Sequence, residues 1–331
     1  MKLPGFNRQK LRRLLAALLA MLLTLALLVL IPLLTHQKPE PEPRFTERRP
    51  QATEAPVLTP EPVQFDMPDP TRPEQNADLQ ALLAEFVEQH PGVWDIYVYD
   101  LTYGEFAEYS SQEDSPMVAA SLIKLYIMGA AFQQFKERKL YYDETWPSIR
   151  KMIISSDNYC ANWVTIRLGE GQEAKGIEAV TAFAHSLGCS STSMNRTMLD
   201  TTSGLENYTS AEDVALLFKL LYRYELISPE YSENMLSYLK AQTINNRIPA
   251  GLPAGTVCAH KTGDLQHKCC ADAGLVFSPR SDYILSVINN GSEDDKAAAA
   301  AIVELSSLVY DFFNPQTDSD PASADASQTE P

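Results

Sequence analysis

Positive charge is scarce in this sequence. Its 331 residues include 27 lysines and arginines against 43 aspartates and glutamates, which gives a formal net charge of −16. Beyond the N-terminal segment there is no long basic run to offset repulsion by phosphates. We therefore predict no nucleic-acid partner. The hydrophobic fraction of 45% is enough for a sizeable core.

A small-residue cleavage site is missing after the longest apolar run. Residues 14–34 carry no charge and follow the segment MKLPGFNRQKLRR, which has five positive charges. As a helix, this run spans roughly 30 Å, the thickness of a bilayer core. We predict an uncleaved membrane anchor at residues 14–34, with residues 1–13 in the cytoplasm and the rest on the other side. A cleavable signal peptide is the alternative.

An even number of cysteines is also lacking. The five cysteines are Cys160, Cys189, Cys258, Cys269 and Cys270. The compartment predicted for them is oxidising, so disulfides are allowed, but at least one thiol has no partner within the chain. The pairing of the others stays open.

Composition divides the rest of the chain into three parts. Residues 35–76 contain ten prolines among polar residues and predict an extended extracellular linker. Residues 315–331 form an acidic tail without periodicity, which predicts disorder. The block between them, residues 77–314, carries the folded domain and has no internal repeat.

The order of elements in this block predicts an α/β fold of the α+β type. A helical pattern comes first, then two strands around a turn at Tyr103-Gly104, then helical patterns from 121 to about 240, then three strands and a final helix. The strands at the two ends must pair to bury their apolar faces. The result is an antiparallel sheet flanked by helices, with an inserted all-helical lobe and a cleft between lobe and sheet.

A serine and a lysine stand three residues apart in the stretch PMVAASLIKLYIMGAAF. On a helix, Ser121 and Lys124 share a face, and the apolar surroundings favour a lowered pKa for the lysine. Such a lysine can take a proton from the serine. The S-x-x-K pattern is weak alone, because a second copy, Ser148 to Lys151, reads as a solvated helix face.

Two further triplets strengthen the interpretation. Ser156-Asp157-Asn158 opens a helical pattern, and Lys261-Thr262-Gly263 ends a strand. Each alone could be a helix cap or a strand ending. In this order with Ser121 and Lys124, and with AASLIKLY, SSDNYCANWV, GLPAGTVCAHKTG and AGLVFSP, they resemble the penicillin-recognising serine acyltransferases. This family includes class A β-lactamases and D-Ala-D-Ala peptidases, and the resemblance covers residues 77–314.

The resemblance implies a role for each matched residue. Ser121 is the expected nucleophile, Lys124 its general base, and Ser156 a proton relay to the leaving nitrogen. Lys261 is expected nearby, holding Lys124 partly neutral by repulsion between like charges.

The implied substrate contacts come from the same motifs. Asn158 would bind the substrate peptide bond, and Thr262 with Lys261 would bind its carboxylate. Gly263 belongs to this group, and the backbone N–H groups of Ser121 and Asp264 would form an oxyanion hole. Asp157 is expected to be structural.

The sequence departs from class A β-lactamases in a loop. Those enzymes hydrolyse the acyl-enzyme with a glutamate in an E-x-x-L-N motif, which is missing from MNRTMLDTTSGLENYTSAEDVALL. Glu206 directly precedes Asn207, so we interpret it as a surface or capping residue. The gap between Ser121 and Ser156 is also short, which would open one side of the cleft.

These departures favour a membrane-anchored, extracytoplasmic serine hydrolase acting on D-Ala-D-Ala peptides of peptidoglycan. It would bind penicillin and turn it over slowly. A class A-type β-lactamase is the alternative, and a non-catalytic wall-binding or antibiotic-sensing module is a third hypothesis.

No metal or cofactor is predicted. Potential ligands occur together in CAHKTGDLQHKCC, namely Cys258, His260, His267, Cys269 and Cys270. Their spacing matches no zinc finger, and neighbouring strand residues point to opposite faces. A β-hairpin with buried thiols or one disulfide is the preferred interpretation. Trp94 and Trp163 are predicted to be core residues.

Overall fold

The central sheet is built from both ends of the folded block. A computed structural model of the protein describes residues 74–112 and 115–315. Six strands form the sheet in the order β1-β3-β2-β8-β7-β6. They are β1 (Glu74–Gln75), β2 (Val93–Asp100), β3 (Glu105–Ser110), β6 (Val257–Leu265), β7 (Cys269–Phe277) and β8 (Tyr283–Asn290). Two further short strands, β4 (Met117–Val118) and β5 (Tyr208–Thr209), pair with each other.

The predicted pairing between the two strand groups is confirmed. β2 runs antiparallel to β8 over its whole length, from Val93 opposite Asn290 to Asp100 opposite Tyr283. The other pairs are also antiparallel, except that the two-residue β1 is parallel to β3. β6, which carries the Lys261-Thr262-Gly263 triplet, is therefore an edge strand, with one side free to face the helical lobe.

Eight α-helices surround the sheet in the part of the chain that the structure describes. They are α1 (Ala77–Gln89), α2 (Ile123–Lys136), α3 (Tyr142–Ile154), α4 (Asn158–Leu168), α5 (Glu173–Ser186), α6 (Ala211–Tyr222), α7 (Pro229–Lys240) and α8 (Asp295–Phe313). Side-chain caps begin several of them: Asn76 accepts from the N–H of Leu79, and Ser210 accepts from that of Asp213. Two 3₁₀ turns, Ala120–Leu122 and Ile248–Gly251, complete the elements.

Each face of the sheet has its own apolar core. Helices α1 and α8 cover one face, where Phe86 packs edge-on against Trp94 at 5.4 Å between ring centroids. The lobe helices cover the other face. Because strand side chains alternate between faces, one strand supplies both cores, and each fully buried large apolar side chain contributes about 1.5–3 kcal/mol.

Helix α2 runs through the middle of the lobe. Every residue from 121 to 132 is buried, and α3, α4 and α5 pack around the helix. Gly129 permits the contact with α5, since a Cβ there would lie 2.3 Å from the Phe183 ring. A lysine in the first turn of such a helix is therefore inside the protein.

The predicted membrane anchor and its cytoplasmic flank lie outside the described residues, as does most of the linker and of the tail. The described residues are already folded at Glu74, because β1 pairs with β3 and Asn76 caps α1. Among the helices that the structure describes, none has the length and apolar character needed to cross a membrane.

Candidate active site

Ser121 lies in the 3₁₀ turn that leads directly into α2. Its side chain is almost fully buried. The preceding residue, Ala120, has φ 43°, a left-handed conformation that is unfavourable for a residue with a Cβ. Ala119 anchors the turn by donating its N–H to the carbonyl of Asn207 at 2.8 Å. The nucleophile candidate is thus held on a strained and fixed turn.

Lys124 reaches three neighbours at once. Its Nζ donates to Ser121 Oγ at 3.0 Å and to Asn158 Oδ1 at 2.6 Å. It also contacts Ser156, at 2.6 Å to the carbonyl and 3.1 Å to Oγ. The side chain is 0% exposed. The amine of Lys124 is therefore hydrogen-bonded both to Ser121 and to the Ser156-Asp157-Asn158 triplet.

The turn before α4 shapes the second motif. Ser156 has φ 57°, and this left-handed conformation directs both its carbonyl and its hydroxyl at Lys124. Asp157 caps α4 by accepting from the N–H of Cys160 at 2.8 Å, and it pairs with Lys151 at 2.9 Å. These bonds hold the pKa of Asp157 down at about 2. Its contacts agree with the predicted structural role.

Lys261 brings the third motif to the same point. Its Nζ donates to Ser156 Oγ at 2.9 Å and to its neighbour's carbonyl, Thr262 O, at 2.8 Å. The hydroxyl of Ser156 therefore lies between two amines. Thr262 is buried, and in the described part of the chain its Oγ1 has no hydrogen-bond partner. A buried hydroxyl without a partner is a suitable group to bind substrate.

The end of β6 packs against the nucleophile turn at Gly263. A Cβ at this position would lie 3.1 Å from Ala119 O and 3.2 Å from Leu122 Cγ, so glycine allows the close approach. Asp264 follows directly, with its side chain exposed and bound by the guanidinium of Arg247. The two segments expected to supply the oxyanion hole are thus in contact.

Burial sets the charge of the two lysines. It lowers the pKa of Lys124 to about 8, against a smaller opposite effect of Asp157 and Cys160. That Lys261 also helps to hold Lys124 partly neutral, by repulsion between like charges, stays a prediction. For Lys261 itself, burial and then the charge of Lys124 hold the pKa well below the usual lysine range. Burial therefore disfavours the charged form of both lysines.

Two buried arginines near the site were not found from the sequence. Arg247 lies in the loop before β6 and donates Nε to Cys270 Sγ at 3.3 Å besides binding Asp264. Arg196 pairs with Glu206 at 2.7 Å. Neither stands in a periodic segment or motif that would have pointed to its acidic partner.

The loop at residues 194–207 docks on α4 beside the site. Asn162, one helical turn after Asn158, donates to Met198 O at 2.7 Å and accepts from Met198 N at 2.7 Å. The interpretation of Glu206 as a surface or capping residue is wrong, since this half-buried carboxylate binds both Arg196 and Lys268.

The cysteine–histidine cluster spreads over the β6–β7 hairpin. His260 is buried and bonds Asp272 at 2.9 Å and Asn245 at 3.0 Å. All five cysteines are free thiols. Among the described residues, no group of three or more His, Cys, Asp or Glu side chains could hold a metal ion.

The prediction that Trp163 is a core residue is wrong, because 40% of its surface is exposed.

The fold and the buried serine–lysine pair define a serine hydrolase of the β-lactamase-like class. The chain belongs to the Beta-lactamase enzyme family, whose model matches residues 76–148 and 145–313. The family resemblance drawn from the motifs and the predicted fold are both confirmed.

Individual relatives agree with this assignment. A β-lactamase of Streptomyces lavendulae is 23% identical over 266 residues, which cover 70% of this chain and 85% of that enzyme. The structure of PBP-A is 25% identical with a TM-score of 0.64, covering 74% of this chain and 99% of PBP-A. A leucine-to-glutamate variant of PBP-A, solved as an acyl-enzyme complex with penicillin G, matches at the same identity and TM-score, covering 74% of this chain and all of that variant.

Proposed function

We propose that this protein forms an acyl-enzyme at Ser121 with peptides ending in D-Ala-D-Ala and with penicillin. The observation that carries the proposal is the 3.0 Å hydrogen bond from the buried Lys124 Nζ to Ser121 Oγ. A lysine whose pKa is lowered to about 8 is a competent base near neutral pH. The neighbouring hydroxyl is thereby an activated nucleophile.

The proposed reaction has two stages. Ser121 Oγ bonds to the substrate carbonyl carbon as its proton passes to Lys124, and the resulting oxyanion accepts N–H bonds from Ser121 and Asp264. The carbon–nitrogen bond then breaks, and the leaving nitrogen takes the proton through Ser156 Oγ, which is hydrogen-bonded to both amines. Water or an amine finally releases the acyl group and restores Ser121.

Substrate binding is assigned to the remaining motif residues. Asn158 is proposed to bind the peptide bond, and Lys261 with Thr262 the terminal carboxylate. Thr262 Oγ1, which has no hydrogen-bond partner among the described residues, supports this assignment because an anion could accept its hydrogen bond. Arg247, buried at the same end of β6, forms an ion pair with Asp264.

The loop at residues 194–207 favours a peptidase over a β-lactamase. Met198 occupies the position that docks on α4 next to the site, and it is buried. The loop's two carboxylates are engaged elsewhere: Asp200 accepts from Thr202 and Ser203, and Glu206 is paired with two cations. No carboxylate of this loop has a described contact with Ser121, Lys124 or Asn158. Deacylation by water is therefore expected to be slow.

Two other functions are kept as candidates. A class A-type β-lactamase is favoured by the name of the Streptomyces lavendulae relative. A non-catalytic wall-binding or antibiotic-sensing module would use the same pocket without turnover. The proposed location is the outer side of the cell membrane, anchored by residues 14–34, where peptidoglycan stem peptides are found; this rests on the sequence pattern alone.

A labelled penicillin distinguishes the three functions. The purified protein is incubated with it, the adduct is mapped by mass spectrometry, and its decay is followed. One label per chain on Ser121 that decays slowly is the expected result. Fast turnover of a chromogenic cephalosporin would instead support the β-lactamase, and the absence of any adduct with penicillin or peptide would support the binding module.

The Met198→Glu variant sharpens the choice. A carboxylate at this position, whose backbone is hydrogen-bonded to Asn162 of α4, should activate water and shorten the adduct lifetime by about tenfold or more. Met198→Gln, of similar size but uncharged, is the matched control. Equal decay in the two variants would mean that this loop position does not reach the deacylating water.

A further inference from the structure

Glu206 and Asn207 stand where three segments around the site meet. These segments are the nucleophile turn (residues 119–122), the loop at residues 194–207, and the β6–β7 turn (residues 266–268). Both side chains make several hydrogen bonds, and Asn207 is buried. The sequence gives no signal for this convergence, because the three segments lie far apart in the chain.

Asn207 joins the loop to the nucleophile turn. Its backbone carbonyl accepts from the N–H of Ala119 at 2.8 Å, two residues before Ser121. Its side-chain Oδ1 accepts from the N–H groups of Asn195 at 2.8 Å and Arg196 at 3.1 Å. Movement of Asn207 would therefore move the start of the turn that carries Ser121.

Glu206 joins the same loop to the β6–β7 turn. Its Oε2 accepts from Arg196, at 3.1 Å from Nε and 2.7 Å from a terminal nitrogen, and its Oε1 accepts from Lys268 Nζ at 2.6 Å. Although burial raises it, the bonds from Lys268 and Arg196 hold the pKa of Glu206 below its usual value. The carboxylate is thus charged and fully engaged.

The two ion pairs of Glu206 act on different parts of the molecule. Arg196 and Glu206 both belong to the loop, so their pair shapes the loop alone. Lys268 belongs to the turn that ends β6, and this turn is fixed by backbone bonds from Lys268 N to Leu265 O (2.8 Å) and from Gly291 N to Lys268 O (3.0 Å). The Lys268–Glu206 pair therefore connects the end of β6 with the loop.

We propose that Glu206 is a positioning residue for acylation, acting through Lys268 and Asn207. The chain Lys268–Glu206–Asn207–Ala119 fixes the separation between the end of β6 and the nucleophile turn. These two segments supply the N–H groups of Asp264 and Ser121, so the proposal rests on the function proposed above. Stabilisation of the oxyanion depends on where these N–H donors lie. A displaced donor therefore slows the chemical step more than it weakens substrate binding.

Lys268 is the residue to change, because its side chain is 59% exposed and its loss leaves the apolar cores intact. In Lys268→Met, acylation of Ser121 at saturating labelled penicillin should be about three- to tenfold slower, as expected for misplacement of an oxyanion donor. Lys268→Arg, which keeps the charge, should stay within about twofold of wild type. In both variants, the penicillin concentration that gives the half-maximal acylation rate should change little.

Lys139→Met is the matched control. Lys139 also forms an exposed ion pair, with Glu137 at 2.7 Å, and its side chain is 66% exposed. The acylation rate of the Lys139→Met variant should equal that of wild type. Raising the ionic strength should reduce the difference in acylation rate between wild type and Lys268→Met, because salt screens the partly exposed Lys268–Glu206 ion pair.

Amide hydrogen exchange tests the positioning without any substrate. In Lys268→Met, exchange should rise in residues 119–122 and 261–265, while α8 stays as in wild type. Unchanged exchange there, wild-type acylation of Lys268→Met, or a Lys268→Arg variant as slow as Lys268→Met would each overturn the inference. A wild-type protein that forms no adduct but shows the exchange difference would instead refute the proposed function and leave the positioning intact.

Discussion

Two serine–lysine pairs with the same spacing occur in the lobe, and their surroundings differ. Ser121 and Lys124 open α2, and Lys124 Nζ lies 3.0 Å from Ser121 Oγ with no exposed surface. Ser148 and Lys151 lie on α3, where the Lys151 side chain is 62% exposed and pairs with Asp157. Burial lowers the pKa of Lys124 to about 8, whereas the bond to Asp157 raises that of Lys151.

The difference shows that spacing alone does not make a base. Both pairs satisfy S-x-x-K, but Lys124 lies in a fully buried stretch of α2, whereas Lys151 lies on the exposed face of α3, so only Lys124 is removed from water. The exposed copy has a structural use instead, because Lys151 supports the cap of α4 through Asp157. The prediction that Ser148 and Lys151 lie on a solvated helix face agrees with this exposure.

The largest expected effect separates the two serines. Ser121→Ala should abolish penicillin acylation, at least about a thousandfold, because the bond-forming oxygen is gone. Ser148→Ala should leave the rate unchanged. Mass spectrometry of the labelled chain measures both. An adduct persisting in Ser121→Ala would place the nucleophile elsewhere.

The second effect separates the two lysines. Lys124→Met keeps the length of the buried side chain but removes the base, so acylation should slow by about 100- to 10,000-fold. Lys151→Met should stay near the wild-type rate, since that amine contacts Asp157 and not Ser121. Stopped-flow measurement with a fluorescent penicillin compares them. Similar losses in both variants would contradict the distinction drawn here.

The smallest effect is the pH dependence of acylation. Lys124 must be neutral to accept a proton, so the second-order rate should rise about tenfold per pH unit below about 8 and level off above it. The pKa of Lys151 is raised, so that residue stays protonated throughout and Lys151→Met should keep the same profile. A flat wild-type profile between pH 6 and 9 would count against Lys124 as the base.

Much of the fold could be predicted because local patterns and edge pairing constrain it. Two strands before the lobe and three after it leave few ways to bury their apolar faces, and β2 beside β8 is the observed solution. The family resemblance carried by the three motifs implied that Ser121, Lys124, Ser156 and Lys261 lie together, and hydrogen bonds connect their side chains.

What could not be predicted depends on contacts between distant segments. The ion pairs Glu206–Lys268 and Arg247–Asp264 form only when the fold brings their segments together. Trp163 has core spacing on α4, but its position on that helix leaves it at the surface, with Arg167 over the ring at 5.6 Å. A one-dimensional pattern gives the period of a helix and not which neighbours cover it.

The left-handed backbone of Ala120 restricts how the protein can be made more thermostable. A residue with a Cβ in this conformation costs roughly 1–2 kcal/mol relative to glycine or a relaxed geometry. Glycine at position 120 would remove that cost but give the nucleophile turn more conformational freedom. A β-branched residue at this position would increase the cost. Selection for heat resistance and selection for a precisely aimed serine therefore oppose each other at this residue.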